Sequence, residues 1–67
     1  MNTESQSAWI YAQLTNGRKL SAFEAAREIG CFRLAARVND LRKKGVDVKT
    51  YIHRDGSKHW AIYYLEQ

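Results

Sequence analysis

The stretch from Gly30 to Gly45 constrains the fold more than any other part of the sequence. Its apolar residues Leu34, Val38 and Leu41 recur at intervals of four and three, which predicts one helix with a single apolar stripe. A glycine precedes this helix and another follows its end. The stripe has to face a core, so the rest of the chain must supply one.

The opposite side of this helix carries side chains that suit a DNA major groove. Arginine and lysine can reach guanine acceptors, asparagine can bind adenine with two hydrogen bonds, and alanine lets the backbone come close. The residues in question are Phe32, Arg33, Ala36, Asn39 and Lys43. A surface helix whose charges only face water is the alternative, and this stretch alone leaves both open.

Length and charge favour one small basic domain over 1–67, with residues 1–4 as a loose N-terminus. The chain has 67 residues, with 11 lysines and arginines against 7 acidic residues and a net charge of +4. Basicity of this size is weak evidence for a nucleic-acid partner. The distribution says more, because six of the cations fall between residues 33 and 49.

Cysteine and histidine usage argues against catalysis. Cys31 is the only cysteine, which excludes a disulfide framework and favours a reducing cytoplasm. Neither His53 nor His59 is separated from Cys31 by the spacing that metal ligands have in a sequence. No base is positioned to activate Cys31 as a nucleophile. We therefore expect that the protein is not an enzyme and that it binds no metal, cofactor or small-molecule substrate. No apolar run approaches a membrane span and no signal peptide is evident.

Two helices are predicted before the central one. The first covers about 5–16, where Ile10 and Leu14 share a face, with Thr3 or Ser5 as its N-cap. An extended connector follows over 18–20. Ser21 and Glu24 then form a capping-box pattern that opens a helix ending at Ile29. This second helix, the turn at Gly30 and the central helix make a helix-turn-helix pattern, with the central helix in the recognition position.

After Gly45 the apolar period changes from 3.6 to 2, which predicts two strands joined near Asp55-Gly56. A two-residue turn there would put Val48 and Ile52 on the face opposite Trp60, Ile62 and Tyr64. A three-residue loop over 54–56 puts all of them on one face, so we expect this register and a positive φ at Gly56. His59, Ala61 and Tyr63 should then point outward, together with Tyr51.

Three helices followed by a two-stranded β-hairpin wing define an α+β fold, the winged helix-turn-helix. The segment 14–65 resembles the small helix-turn-helix proteins of bacteriophages and prophages. The resemblance rests on the motif GCFRLAARV at 30–38, followed by Asp40-Leu41-Arg42, Gly45 and an aromatic-rich wing. It implies binding to double-stranded DNA in a phage or prophage setting, at the nucleoid or in the host cytoplasm.

The candidate DNA contacts fall on the central helix and the wing tip. Phe32 could contact a thymine methyl or a sugar, although a core position at the helix junction is slightly favoured. Arg37 and Arg42 could contact phosphates or pair with Glu24, Glu28 or Asp40. At the wing tip a phosphate or minor-groove contact is expected, with a merely solvated tip as the alternative; the residues there are Arg54, Ser57 and Lys58.

The expected function is sequence-specific DNA binding by a transcription regulator or a recombination accessory factor. The alternative is a winged helix that binds a protein, for example a host or replication protein. Arg33, Asn39 and Lys43 on one exposed face would favour DNA, whereas an exposed Phe32 together with Tyr51 and Tyr63 would favour a protein partner. A homodimer on DNA is left open.

Overall fold

The computed structural model describes residues 2–66 and confirms the α+β winged helix-turn-helix architecture. The elements are α1 (Thr3–Thr15), β1 (Leu20–Ser21), α2 (Ala22–Ile29), α3 (Leu34–Lys43), β2 (Val48–Asp55) and β3 (Lys58–Leu65). The three strands form one antiparallel sheet in the order β1-β3-β2. Within 2–66, no helix is both long and apolar enough to cross a membrane.

Helix α1 begins earlier than the sequence pattern predicts. Asn2 is its N-cap, and the side-chain oxygen of Asn2 accepts a hydrogen bond of 2.8 Å from the backbone N–H of Ser5. The prediction of Thr3 or Ser5 as the cap is therefore wrong, since asparagine caps a helix as well as serine does. Residues 2–4, expected to be loose, belong to the cap and the first turn; Met1 lies outside the described residues.

The connector after α1 is a short strand, so the sheet has three strands instead of the predicted two. Leu20 pairs with Tyr63 of β3, and Ser21 pairs with Ile62. Ser21 is also the N-cap of α2: its hydroxyl accepts from the N–H of Glu24, and its own N–H donates to the Glu24 carboxylate at 3.1 Å. The predicted capping box is thus confirmed, and it joins the sheet directly to α2.

One core unites the helices and the sheet. The stripe of α3 predicted from the sequence is buried, and Leu34 and Leu41 are 1% and 5% exposed. The stripe meets apolar residues of every other element, with Trp9, Ile29, Val46, Tyr63 and Leu65 packed around the edge. The buried residues are Ile10, Leu14, Leu20, Ala25, Cys31, Leu34, Val38, Leu41 and Val48.

The predicted register of the hairpin is wrong. Val48 lies opposite Leu65 and Asp55 lies opposite Lys58, so the loop has two residues, Gly56 and Ser57. Even-numbered residues of β2 therefore share a face with odd-numbered residues of β3.

This register changes which side chains of β3 face the core. Tyr63 and Leu65 pack against the core, whereas Trp60, Ile62 and Tyr64 lie on the opposite face. Tyr63 was expected to point outward, and Trp60, expected to be buried, is 39% exposed. The apolar alternation of β3 was thus assigned to the wrong side of the sheet.

The turn chemistry explains the two-residue loop. Gly56 has the expected positive φ of 64°, whereas Ser57 does not have a positive φ. Glycine at the first central position is the mark of a type II′ hairpin turn, whose twist matches that of the strands. The loop is thus neither the three-residue loop over 54–56 nor a two-residue turn at Asp55-Gly56, because Asp55 pairs with Lys58.

Arg18 forms a clasp between the end of α1 and the outer side of α2. Its guanidinium donates to Gln13 at 3.0 Å and to Glu24 at 3.2 Å, and it forms a close ion pair with Glu28. The hydrogen bond from Arg18 lowers the pKa of Glu28, and the same bond raises the pKa of Arg18. Both acidic residues of α2 are thereby paired with one guanidinium within the fold.

Truncation of the α3 stripe should destabilise the protein severely. We expect Leu41→Ala to lower the free energy of unfolding by ~2–5 kcal/mol, because it removes buried methyl groups and leaves a cavity. Phe32→Ala is the matched control, since Phe32 is 82% exposed and its loss should change the stability by less than about 0.5 kcal/mol. Urea denaturation of both variants measures this, and equal stabilities would contradict the assignment of the core.

The Arg18 clasp should make stability depend on pH. Because the pKa of Glu28 is lowered in the folded protein, its contribution is present above the ordinary value of 4.5 and disappears as the pH falls through the lowered pKa. Arg18→Ala should therefore melt below the parent at pH 7, and the difference in Tm should narrow towards pH 3. Lys19→Ala removes a neighbouring cation that has no carboxylate partner among residues 2–66, and its difference from the parent should not change with pH. A constant difference for Arg18→Ala would refute this role.

Candidate nucleic-acid interface

The turn between α2 and α3 sets the direction of the recognition helix. Gly30 ends α2 in the left-handed conformation with φ 68°, and its N–H donates to the carbonyl of Ala26 at 3.0 Å. The N–H of Cys31 donates to the carbonyl of Ala25 at 3.1 Å, and its side chain is buried. Cys31 is therefore a packing residue that anchors the turn, and the chain leaves it towards the surface.

The outward face of α3 presents the residues that the helical pattern predicts for it. Arg33, Asn39 and Lys43 are exposed, and Ala36 is half-buried between them. Within residues 2–66, the side chains of Arg33, Asn39 and Lys43 form no hydrogen bond or ion pair with other residues. Their polar groups are therefore free to contact a partner, although their role as DNA contacts remains a prediction.

Phe32 is not a core residue. It is 82% exposed, so the slightly favoured interpretation of Phe32 as the filling of the helix junction is wrong. Cys31 takes that place, because the turn after Gly30 directs the neighbouring side chain inward and leaves Phe32 in solvent. An apolar ring with this exposure thus lies in the turn just before α3.

Arg37 is held within the protein. Its Nε lies 3.1 Å from Oδ2 of Asp40, and its Nη1 donates to the hydroxyl of Thr3 at 3.3 Å. The pairing with Asp40 is one of the two alternatives that the sequence left open. Arg37 therefore links α3 to the first turn of α1, and only part of its guanidinium is available to a phosphate.

Arg42 has a comparable role at the other end of the helix. Its Nε and Nη2 donate to the carbonyl of Val48 at 3.1 and 2.7 Å, and Nη2 also reaches the hydroxyl of Thr50 at 2.8 Å. None of the expected carboxylates pairs with it. Arg42 instead occupies the open edge of β2 and fixes the C-terminal end of α3 against the sheet.

The wing tip is exposed and unpaired. Arg54 lies opposite His59, Lys58 lies opposite Asp55, and Ser57 is in the turn. The side chains of Arg54, Ser57 and Lys58 form no hydrogen bond or ion pair with other described residues. The tip can therefore offer two cations and a hydroxyl to a phosphate backbone.

The charge on the recognition element is strongly positive. Residues 33–44 contain five cations and a single carboxylate, Asp40, which pairs with Arg37. No side chain caps the N-terminus of α3, where Arg33 occupies the N-cap position. The positive end of the helix dipole adds to the charge of Arg33 there. A polyanion is the partner that this distribution attracts most strongly.

An apolar groove, which no sequence pattern predicts, runs between α2, the start of α3 and the sheet. Its volume is about 730 Å³. Small residues line it beside aromatic ones, and Phe23 at its rim is 70% exposed. The lining residues are Ser21, Ala22, Phe23, Glu24, Arg27, Ala35, Trp60, Ala61 and Tyr63.

Comparison with family models matches residues 5–67 to the winged helix-turn-helix domain. Comparisons with curated proteins and with solved structures found no match. The matched family agrees with the observed order of helices and strands and indicates DNA as the partner. Because the match extends over nearly the whole sequence, the chain belongs to the winged helix-turn-helix domain family.

Proposed function

We propose that this protein binds double-stranded DNA sequence-specifically by placing α3 in the major groove. The observation that carries the proposal is the outward face of α3, where Arg33, Asn39 and Lys43 have no partner among the described residues. Arginine and asparagine are the side chains that read guanine and adenine edges in that groove. Ala36 lies between them and is small enough for close approach.

The recognition helix is held at both ends, which supports base readout. Arg37 ties it to α1 and Arg42 ties it to β2. A helix that is fixed before binding loses little conformational entropy when it enters the groove. Arg37 and Arg42 therefore act mainly by positioning α3, and Arg33 and Asn39 are the groups assigned to the bases.

The flanking residues have supporting roles in this proposal. Phe32, in the turn before α3, contacts a thymine methyl or a sugar, because its exposed ring has no packing role in the core. Arg54, Ser57 and Lys58 contact the phosphate backbone or the minor groove from the wing tip.

The biological setting is proposed from the resemblance to phage and prophage helix-turn-helix proteins. In that setting the protein is a non-enzymatic regulator of transcription or an accessory factor in recombination, acting without a cofactor in the host cytoplasm. Within residues 2–66 no three histidine, cysteine or acidic side chains are grouped as metal ligands.

A protein partner is the second candidate, and two observations favour it. Phe32 and Phe23 are the most exposed large apolar side chains among residues 2–66, and Phe23 borders the apolar groove. Tyr51 is exposed as well, but Tyr63 packs against the core and does not complete the expected outer patch. A partner would insert an apolar side chain into this groove.

Variants of the helix face should separate sequence readout from general affinity. After selection of a preferred duplex from a random pool, Arg33→Ala and Asn39→Ala should each weaken binding to it by ~1–3 kcal/mol, the value of a good bidentate contact. Binding to random duplex should change little. Fluorescence anisotropy with both duplexes measures this, and a two-fold repeat in the selected sequences would indicate a homodimer. Failure of the pool to enrich any sequence would contradict specific readout.

Variants of the wing tip should behave differently. Arg54→Ala and Lys58→Ala should weaken binding to the selected and the random duplex equally, because phosphates carry no sequence information. Each lost phosphate contact should reduce the slope of log K against log salt by ~0.9. Lys19→Gln is the control with the same loss of charge on another surface, and its slope should equal that of the parent.

The same measurements test the second candidate. If the parent and all of these variants bind both duplexes equally weakly, the DNA proposal fails. Phe23→Ser would then be the variant to compare in binding to a protein partner, since it removes the ring at the groove but no part of the α3 face.

A further inference from the structure

The face of the sheet that is turned away from the helices carries a cluster of rings. Because the register pairs Tyr51 with Ile62 and His53 with Trp60, these side chains share that face with Tyr64. We call it the outer sheet face. Tyr51 and Trp60 are each 39% exposed, and Ile62 and Tyr64 are half-buried.

The rings form two contacting pairs across β2 and β3. The centroids of Tyr51 and Tyr64 lie 5.6 Å apart with the rings edge to face. Those of His53 and Trp60 lie 4.8 Å apart with the planes tilted by 42°. These contacts place four rings next to one another on one face of the sheet.

Lys19 stands over this surface. Its Nζ lies 5.5 Å from the ring centroid of Tyr51 and 5.7 Å from that of Tyr64, which is cation–π geometry. Among residues 2–66, no carboxylate forms an ion pair with Lys19, whereas Lys49 pairs with Asp47 at 3.1 Å. The charge beside Tyr51 and Tyr64 is therefore available to an anion.

We propose that the outer sheet face binds single-stranded nucleic acid. Unpaired bases would stack on Tyr51, Tyr64 and Trp60, and a phosphate between them would contact Lys19. Aromatic rings on a surface with an unneutralised cation are the combination that binds single strands without sequence preference. A duplex does not fit as well, because its bases already stack on one another and hide the faces that the rings would contact.

This surface differs from the one proposed for duplex DNA. The α3 face reads base edges with Arg33 and Asn39, whereas the outer sheet face uses none of the residues of α3 or of the wing tip. Each surface can therefore be removed without the other.

The test is fluorescence anisotropy of the full chain with a labelled 12-nucleotide strand of mixed sequence, and with the duplex made from that strand and its complement. The parent should bind the strand. Tyr51→Ala should raise the Kd for the strand about 10-fold, the effect of losing one stacking ring. Lys19→Gln should raise it as well. Both variants should bind the duplex within twofold of the parent.

Two controls isolate the roles of the ring and of the surface. Tyr51→Phe keeps the ring, so its Kd for the strand should stay within twofold of the parent. Arg33→Ala should leave strand binding unchanged. Thermal melting, monitored by circular dichroism, shows whether each variant is folded. If Tyr51→Ala is unstable, Lys19→Gln still tests the surface, because it removes no ring.

Three results would overturn the proposal: no strand binding by the parent, strand binding that Tyr51→Ala and Lys19→Gln leave intact, or strand binding that Arg33→Ala reduces as strongly. Sedimentation equilibrium can reveal a fourth such result. If the parent binds no strand but forms a dimer, and Tyr51→Ala is a monomer, the outer sheet face is a dimer interface instead. Strand binding that depends on Tyr51, in a protein that binds no duplex, would support this proposal and refute the function proposed for α3.

Discussion

The structure depends on the burial of the stripe formed by Leu34, Val38 and Leu41. A chain of this length buries only about 60% of the surface that it exposes when unfolded, so few apolar contacts stabilise it. The stripe brings α3 against α1, the turn and the first residue of β2, and no other helix contributes as many buried apolar residues among those described. Once these three side chains face inward, the helical period alone turns Asn39 and Lys43 outward. The recognition surface is therefore a consequence of the core, and a variant that disturbs the stripe disturbs both.

The cations of α3 and of its N-cap fall into two groups, those that bond to a neighbouring element and those whose charge is left free. Arg37 and Arg42 lie on the two borders of the stripe, and each reaches a neighbouring element. Arg33 and Lys43 lie further from the stripe and find no partner among residues 2–66. Composition cannot separate these two groups, since all four residues count equally towards the net charge. The angle around the helix separates them, because only side chains beside the stripe are close enough to α1 or β2 to hydrogen-bond there.

Local chemistry explains what could be predicted from the sequence, and long-range contacts explain what could not. The capping box of Ser21 and Glu24, the positive φ of Gly56 and the stripe of α3 involve residues within a few positions of one another, and all three are confirmed.

The register of the hairpin is different, because β3 is apolar on both sides. Its even positions hold Trp60, Ile62 and Tyr64, and its odd positions hold Ala61, Tyr63 and Leu65. Which of these two sets faces the core depends on the turn at Gly56-Ser57 and on the pairing of β3 with Leu20. Leu20 belongs to β1, a strand that the sequence pattern does not reveal. The helical face of the candidate site followed from periodicity, whereas the exposure of Phe32 and the partners of Arg42 depended on the tertiary structure.

Exposed aromatic residues carry little information by themselves in so small a domain, because a short chain with eight of them cannot bury them all. Their neighbours carry the information. Phe23 contacts the guanidinium of Arg27 and borders a groove. Phe32 lies in the turn next to Arg33, the N-cap of α3, and Tyr51 contacts an ammonium group that no described carboxylate neutralises. The stability of the fold requires none of these rings to be exposed, and each could be replaced by a polar residue without opening the core. Three exposed rings therefore stand beside three cations on three separate surfaces, and the packing of the core accounts for none of them. Because the cations attract anions and the rings can stack on bases, the surroundings of Arg33 and of Tyr51 agree with the nucleic-acid partners proposed above.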